Sequence, residues 1–147
     1  MFRRFLVAIA LGLWLGGFTF HALVVIPAGE RVLGSVQEMG FVTQQVTVVL
    51  NRIGVVALLV ALWNLWLTRP RRGLFLTWIV LAASQVGLML LHPVLDGLLV
   101  TKTHEIADEE RFYRLHQVYL WTSALQWGAG ILHVALLLRR SAQPAIR

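Results

Sequence analysis

His92 and Asp96 stand four residues apart at the end of an apolar run, a spacing that puts both side chains on one face of a helix. A carboxylate so placed orients the imidazole, or shares a metal ion or a proton with it. Pro93 lies between them; it has no N–H to give the helix and is expected to bend or end it there, baring carbonyls as further ligands. The plainer alternative is an interfacial histidine beside an aspartate that closes the helix at Gly97. His21 and His116 bring two more imidazoles from other apolar stretches. With Asp96 these three histidines make a donor set suited to copper, zinc or iron, and His92 with His116 is a pair of the kind that grips a haem from both sides.

Ionisable groups within apolar helices are rare and costly, so other polar residues there are candidates too. Asn51 and Arg52 interrupt a second apolar run, with Gln44 and Gln45 seven residues earlier on nearly the same face. Arg52 either snorkels outward, pairs with Asp96, or anchors an anionic ligand or headgroup. Gln45, Asn51 and Arg114 fall in the same ligand or ion-pair group. His116, Ser123, Gln126, Gly130 and His133 follow one another at helical spacing, and Gln85 precedes His92 by seven residues. A polar stripe of that length faces protein or a cavity rather than lipid. Gln85, Ser123, Gln126 and His133 therefore mark a candidate polar path shared by two helices, whereas Tyr113 and Trp121 suit interfacial anchors.

The elements that hold these residues are membrane helices. Of 147 residues, 58% are hydrophobic and 14% charged, and the mean hydropathy is +0.72, outside the range of a water-soluble domain. Four apolar runs, at about 5–26, 46–67, 74–95 and 115–138, each reach the roughly 20 residues a bilayer crossing requires. They predict an all-α fold: a polytopic membrane protein, one domain over 1–147, built as an antiparallel four-helix transmembrane bundle. Loops are expected at 27–45 and 97–113, with a tight turn at 68–73. Val32, Leu33, Met39 and Phe41 recur with helical spacing inside the first loop, which makes a short interfacial helix an alternative there. Thr103 before the acidic run reads as a helix start. Gly12 and Gly16 form a small-xxx-small pair for close packing, which would present His21 to neighbouring helices.

Charge gives an orientation. Arg3 and Arg4, then Arg69, Arg71 and Arg72, then Arg139, Arg140 and Arg147 flank the runs with no acid among them. Glu30, Glu38, Asp96, Glu105, Asp108, Glu109 and Glu110 fall in the other connections, interspersed with Arg31, Lys102, Arg111 and Arg114. The positive-inside rule then sets both termini in the cytoplasm, in a bacterial inner membrane. The first run is longer than a signal core and no clear cleavage site follows it, so it is expected as a retained helix. The net charge of +6 and pI near 11.3 are topology signals, and no nucleic-acid partner is implied. Absence of cysteine removes thiol redox chemistry, disulfides and thiolate metal sites. Counted at 1.5 Å per residue from the arginines, His21 and Arg52 lie ~25 Å up, His92 ~30 Å and His116 ~35 Å. All four helices thus carry a candidate residue toward the acidic side.

The run Leu13-Trp14-Leu15-Gly16-Gly17, the His92-Pro93-x-x-Asp96 end of the third helix and the Phe112-Tyr113-Arg114-x-His116 start of the fourth resemble the family of small four-helix membrane proteins related to human transmembrane protein 205. The resemblance implies a membrane bundle and carries no established reaction. A weaker likeness to copper-resistance membrane proteins rests on the Trp-Leu-Gly-Gly run and the histidines.

The residues thus point first to an exoplasmic site for a transition metal or haem, with His92 and His116 as main ligands, Asp96 as ligand or orienter and His21 as a third imidazole. Proton-coupled or small-solute transport, a membrane-surface enzyme acting on a lipid or quinone, and a structural subunit are the alternatives. The bilayer is the expected partner; a narrow bundle also invites a homo-oligomer. No nucleotide loop or zinc-protease motif favours a particular enzyme.

Overall fold

A computed structural model of the chain describes residues 2–68, 72–100 and 105–139. Arg69, Pro70, Arg71, Lys102, Thr103, Arg140 and Arg147 lie outside the described residues. Helix α1 (Phe2–Phe20) runs through a π turn (His21–Val25) into α2 (Ile26–Leu33). Gly34 stops α2 with φ 68°, a left-handed conformation that costs glycine little. Its N–H returns to the Glu30 carbonyl at 2.9 Å. Ser35 then opens α3 (Val36–Leu67) as an N-cap, its side chain accepting from the Glu38 N–H at 3.2 Å. Most of the expected 27–45 loop is therefore helix, broken only at Gly34 and Ser35. Hydropathy locates where a chain crosses lipid, whereas helical hydrogen bonding continues into the polar region beyond.

Helix α4 (Arg72–Asp96) passes Pro93 without stopping, and the Pro93 carbonyl accepts from the Gly97 N–H at 3.0 Å. The carbonyl that a proline at 93 deprives of its helical N–H is that of Met89, one turn earlier. Two short strands follow, β1 (Leu99–Val100) and β2 (Glu105–Ile106), antiparallel with Leu99 opposite Ile106. Helix α5 (Glu109–Arg139) starts later than the Thr103 signal suggests. Its cap is Asp108, which accepts from the Arg111 N–H at 3.0 Å, so the 97–113 connection is a hairpin followed by the first turn of α5.

Four helical stretches are long and apolar enough to cross a membrane: Phe2–Leu33, Gln37–Leu67, Arg72–Asp96 and Glu109–Arg139. Phe5, Leu13, Leu23, Trp66, Leu90 and Leu125 are exposed along their outside, a surface that suits lipid and not water. The chain is a multi-pass membrane protein. At 32 residues, α3 is ~48 Å long against a hydrocarbon core of ~30 Å. Neighbouring helices run in opposite senses. Thr77, Gln85 and His92 on α4 meet His133, Gln126 and Tyr119 on α5 in reverse order.

In lipid, helices associate through close packing rather than through the hydrophobic effect, and two glycines permit it here. A Cβ on Gly54 would stand 2.6 Å from the Trp14 ring and 2.8 Å from Gln85 Oε1, and one on Gly130 would stand 2.7 Å from Leu15 Cδ2. Gly54 thus lets α1 and α4 close on α3, and Gly130 lets α1 close on α5. Gly12 and Gly16, the pair expected to do this, have nothing within 4 Å of a Cβ position and lie exposed. The buried face of α1 is the stripe Val7, Leu11, Trp14 and His21, and Gly12 and Gly16 fall on the opposite side.

Candidate functional site

At the acidic end of the bundle, one turn of α4 sets His92 Nδ1 2.8 Å from Asp96 Oδ2. The ring therefore gives its Nδ1 hydrogen to the carboxylate, which fixes its orientation and leaves Nε2 unspent. Tyr119 of α5 meets His92 edge-on, with ring centroids 6.4 Å apart. The Tyr119 oxygen accepts from Asn51 Nδ2 at 3.4 Å. No described residue accepts its hydroxyl hydrogen. One turn outward, His116 stacks on Phe112, centroids 5.6 Å apart and planes 9° from parallel. His92, Asp96, His116 and Tyr119 share a cavity of ≈ 240 Å³. Its other walls are mostly apolar, from Ile26 of α2, Met39 and Phe41 of α3, Leu95, and Leu99 and Ile106 of the hairpin, with Glu30, Gln37 and Gln44 among the polar exceptions.

Behind Tyr119 a file of amides enters the bundle. Gln126 Nε2 donates to Gln85 Oε1 at 3.0 Å, and Gln85 Nε2 donates to the Asn51 carbonyl at 3.1 Å and, more weakly, to Asn51 Oδ1 at 3.4 Å. Asn51 then donates to Tyr119. Apart from a longer bond from Gln126 Nε2 back to the Leu81 carbonyl at 3.5 Å, these amides donate in one sense, toward the cavity, so the file is polarised with the Tyr119 hydroxyl at its outer terminus. Farther in, His133 Nδ1 and Thr77 Oγ1 are 2.8 Å apart. Gln85, Ser123, Gln126 and His133 are all buried, on the inner faces that the spacing predicts. The file stops at Gln126; Leu81 and Ala129, both buried, occupy the layer between it and His133.

Other candidates fall elsewhere. His21 is buried on the core stripe where α1 enters its π turn; the Ile26 N–H reaches back to the His21 carbonyl across five residues, and neither ring nitrogen has a partner among the described residues. It does not line the cavity. Arg52 is exposed beside Val49, Ile53 and Val56 on the lipid-facing side of α3. It does not pair with Asp96, which is engaged by His92. One residue is 100° of helix rotation, enough to send Asn51 inward and Arg52 outward. Gln45 shares that exposed side, and Arg114 pairs with Glu110 at 3.2 Å in an exposed position.

The donors do not fit a metal centre in this arrangement. Among the described residues no three His, Asp or Glu side chains surround a common point, and His21 lies outside the cavity. A cavity of ≈ 240 Å³ is also below the roughly 300–1,000 Å³ of pockets that enclose drug-sized ligands, too small for a haem. Spacing alone missed Tyr119, whose role depends on Asn51 from another helix; its signal is its place four residues before Ser123 and seven before Gln126. Thr77 was missed too, being an ordinary threonine until His133 lies across from it.

No family model, curated protein or solved structure matches this chain.

Proposed function

We propose that the acidic-end cavity binds the head of a small amphipathic molecule of the quinol or hydroxyl-bearing lipid class, at the exoplasmic face of a bacterial inner membrane. The kinship drawn from the three short motifs belongs to the same proposal and adds no reaction. One observation carries the assignment: two hydrogen-bonding groups, each oriented by a protein partner, face a largely apolar cavity with one function unspent. His92, its Nδ1 tied to Asp96, offers Nε2 as acceptor. Tyr119, its oxygen filled by Asn51, offers a hydrogen. A hydroxyl head satisfies both, giving its proton toward Nε2 and accepting from Tyr119, while its apolar body lies against Met39, Phe41 and Leu95. Oriented groups in an apolar surround are what make such a site selective. The His92–Asp96 pair is also placed to act as a base toward that hydroxyl.

Titration of nanodisc-reconstituted protein with a short-chain quinol, followed by tryptophan fluorescence, tests this. Saturable binding is expected, weakened several-fold by His92→Ala, since a neutral hydrogen bond contributes about 0.5–1.5 kcal/mol. Saturable binding unchanged by His92→Ala, or no binding to folded protein, would overturn it.

The polarised amide file supports a second function, movement of protons or small solutes. Proteoliposome flux would have to fall on substitution of Gln126 or His133; flux indifferent to both would remove the inner half of that route.

A further inference from the structure

The opposite end of the bundle holds a second cavity, of ≈ 480 Å³, lined by Arg3, Arg4, Phe5, Asn64, Thr68 and Leu138 among others. Three independent features give it one electrostatic character. Arg3 and Arg4 are half-buried at its wall. The first turn of α1 contains no acidic residue, so the N–H groups that a helix start leaves without helical partners add partial positive charge there. No Asp or Glu is among the described lining residues, and all seven acids of the chain fall between positions 30 and 110.

Asn64 makes this more than a basic helix start. It is only 3% exposed, in the apolar part of α3, and among the described residues no donor reaches its buried side-chain oxygen. Buried amides are normally satisfied, and an unsatisfied one costs about 1–3 kcal/mol. Thr68 does not serve it, since its hydroxyl donates to the Asn64 main-chain carbonyl at 2.7 Å. An amide that turns about its last bond presents either its oxygen or its two hydrogens, so Asn64 can donate to an acceptor held between the arginines. Phe5 and Leu138, both exposed, flank this polar floor and face hydrocarbon.

We infer that this cavity is a binding site for a phosphate-type anion, held by Arg3 and Arg4, the α1 N-terminus and the Asn64 amide. Its exposed apolar flanks match acyl chains, so a phospholipid headgroup and free phosphate are the two sources of that chemistry.

Native mass spectrometry of the purified full chain with graded phosphatidylglycerol, phosphatidylcholine or inorganic phosphate tests the site. Phosphatidylglycerol is expected to bind saturably at one copy per chain. Asn64→Leu, which leaves every charge in place, should weaken it about tenfold, a loss matching one charge-assisted hydrogen bond. Arg3→Gln with Arg4→Gln should remove it. Saturation by inorganic phosphate, with competition against the lipid and the same sensitivity to Asn64→Leu, would support the site with a soluble source. Equal binding of phosphatidylcholine, or phosphatidylglycerol binding indifferent to Asn64→Leu, would overturn it as mere attraction to a basic surface. Should Asn64→Leu fail to fold, Asn64→Asp places a carboxylate beside the anion with little change in volume, and undiminished binding by it would overturn the site equally.

Discussion

The two ends of this bundle make cavities by opposite means. At the acidic end two polar groups are each oriented by a protein partner: His92 by Asp96, and Tyr119 by Asn51, itself reached by Gln85, which Gln126 reaches in turn. What remains unspent there has direction. At the basic end the charges stand at a helix start, and the buried Asn64 side-chain oxygen lacks a partner among the described residues. Direction suits a neutral head that must be met atom by atom; a concentration of positive charge suits an anion. Apolar layers around Leu81, Ala61 and Leu11 lie between the two, so each end should respond to its own substitutions.

The strongest way to break this separation is at Gly54. A methyl group there meets the Trp14 ring and Gln85 Oε1, and overpacking of this kind costs roughly 1–3 kcal/mol. Gly54→Ala should lower the melting temperature in detergent and weaken quinol binding, with phosphatidylglycerol binding retained; loss of both together would mean that the ends are coupled. Next in size is Asp96→Asn, which removes the charge that orients His92. Quinol affinity should fall about tenfold, a charge-assisted bond being worth up to about 3 kcal/mol, with anion binding unchanged in the same sample. Tyr119→Phe deletes one hydroxyl and should cost about 1 kcal/mol of quinol affinity, measured by the same titration. Arg52→Gln comes last. Exposed side chains away from special contacts shift stability within about 0.5 kcal/mol, so neither ligand should notice it; a large loss of quinol binding would move the site to the outer face of α3.

The sequence makes the helical architecture plain because the apolar runs are long and uninterrupted. Helix ends are less legible: 27–45 is polar enough to read as loop, yet Gly34 and Ser35 supply the only stop and start it needs. The His92–Asp96 contact follows from spacing on one helix. Contacts that need a second helix do not. Nothing in the chain marks Asn51 as inward and Arg52 as lipid-facing, and nothing separates the glycines that packing uses, Gly54 and Gly130, from Gly12 and Gly16, which it does not. In each case the deciding fact is what lies opposite, which one-dimensional periodicity does not contain.

The π turn at His21–Val25 has a consequence for the wall of the acidic-end cavity. Such a turn accommodates one more residue than an α turn, so it resets the rotational phase of everything after it. Past it, Gly29 of α2 sits against the Met39 thioether, which would have to shift for a larger side chain. Deleting Ala22 would return the segment to ordinary helix and swing α2 by about 100° about its axis. Gly29 would leave Met39, and Ile26 and Glu30 would leave the cavity rim without any of them having been substituted. The shape of that wall is thus written in a residue count, and a single deletion would alter it more than most replacements within it.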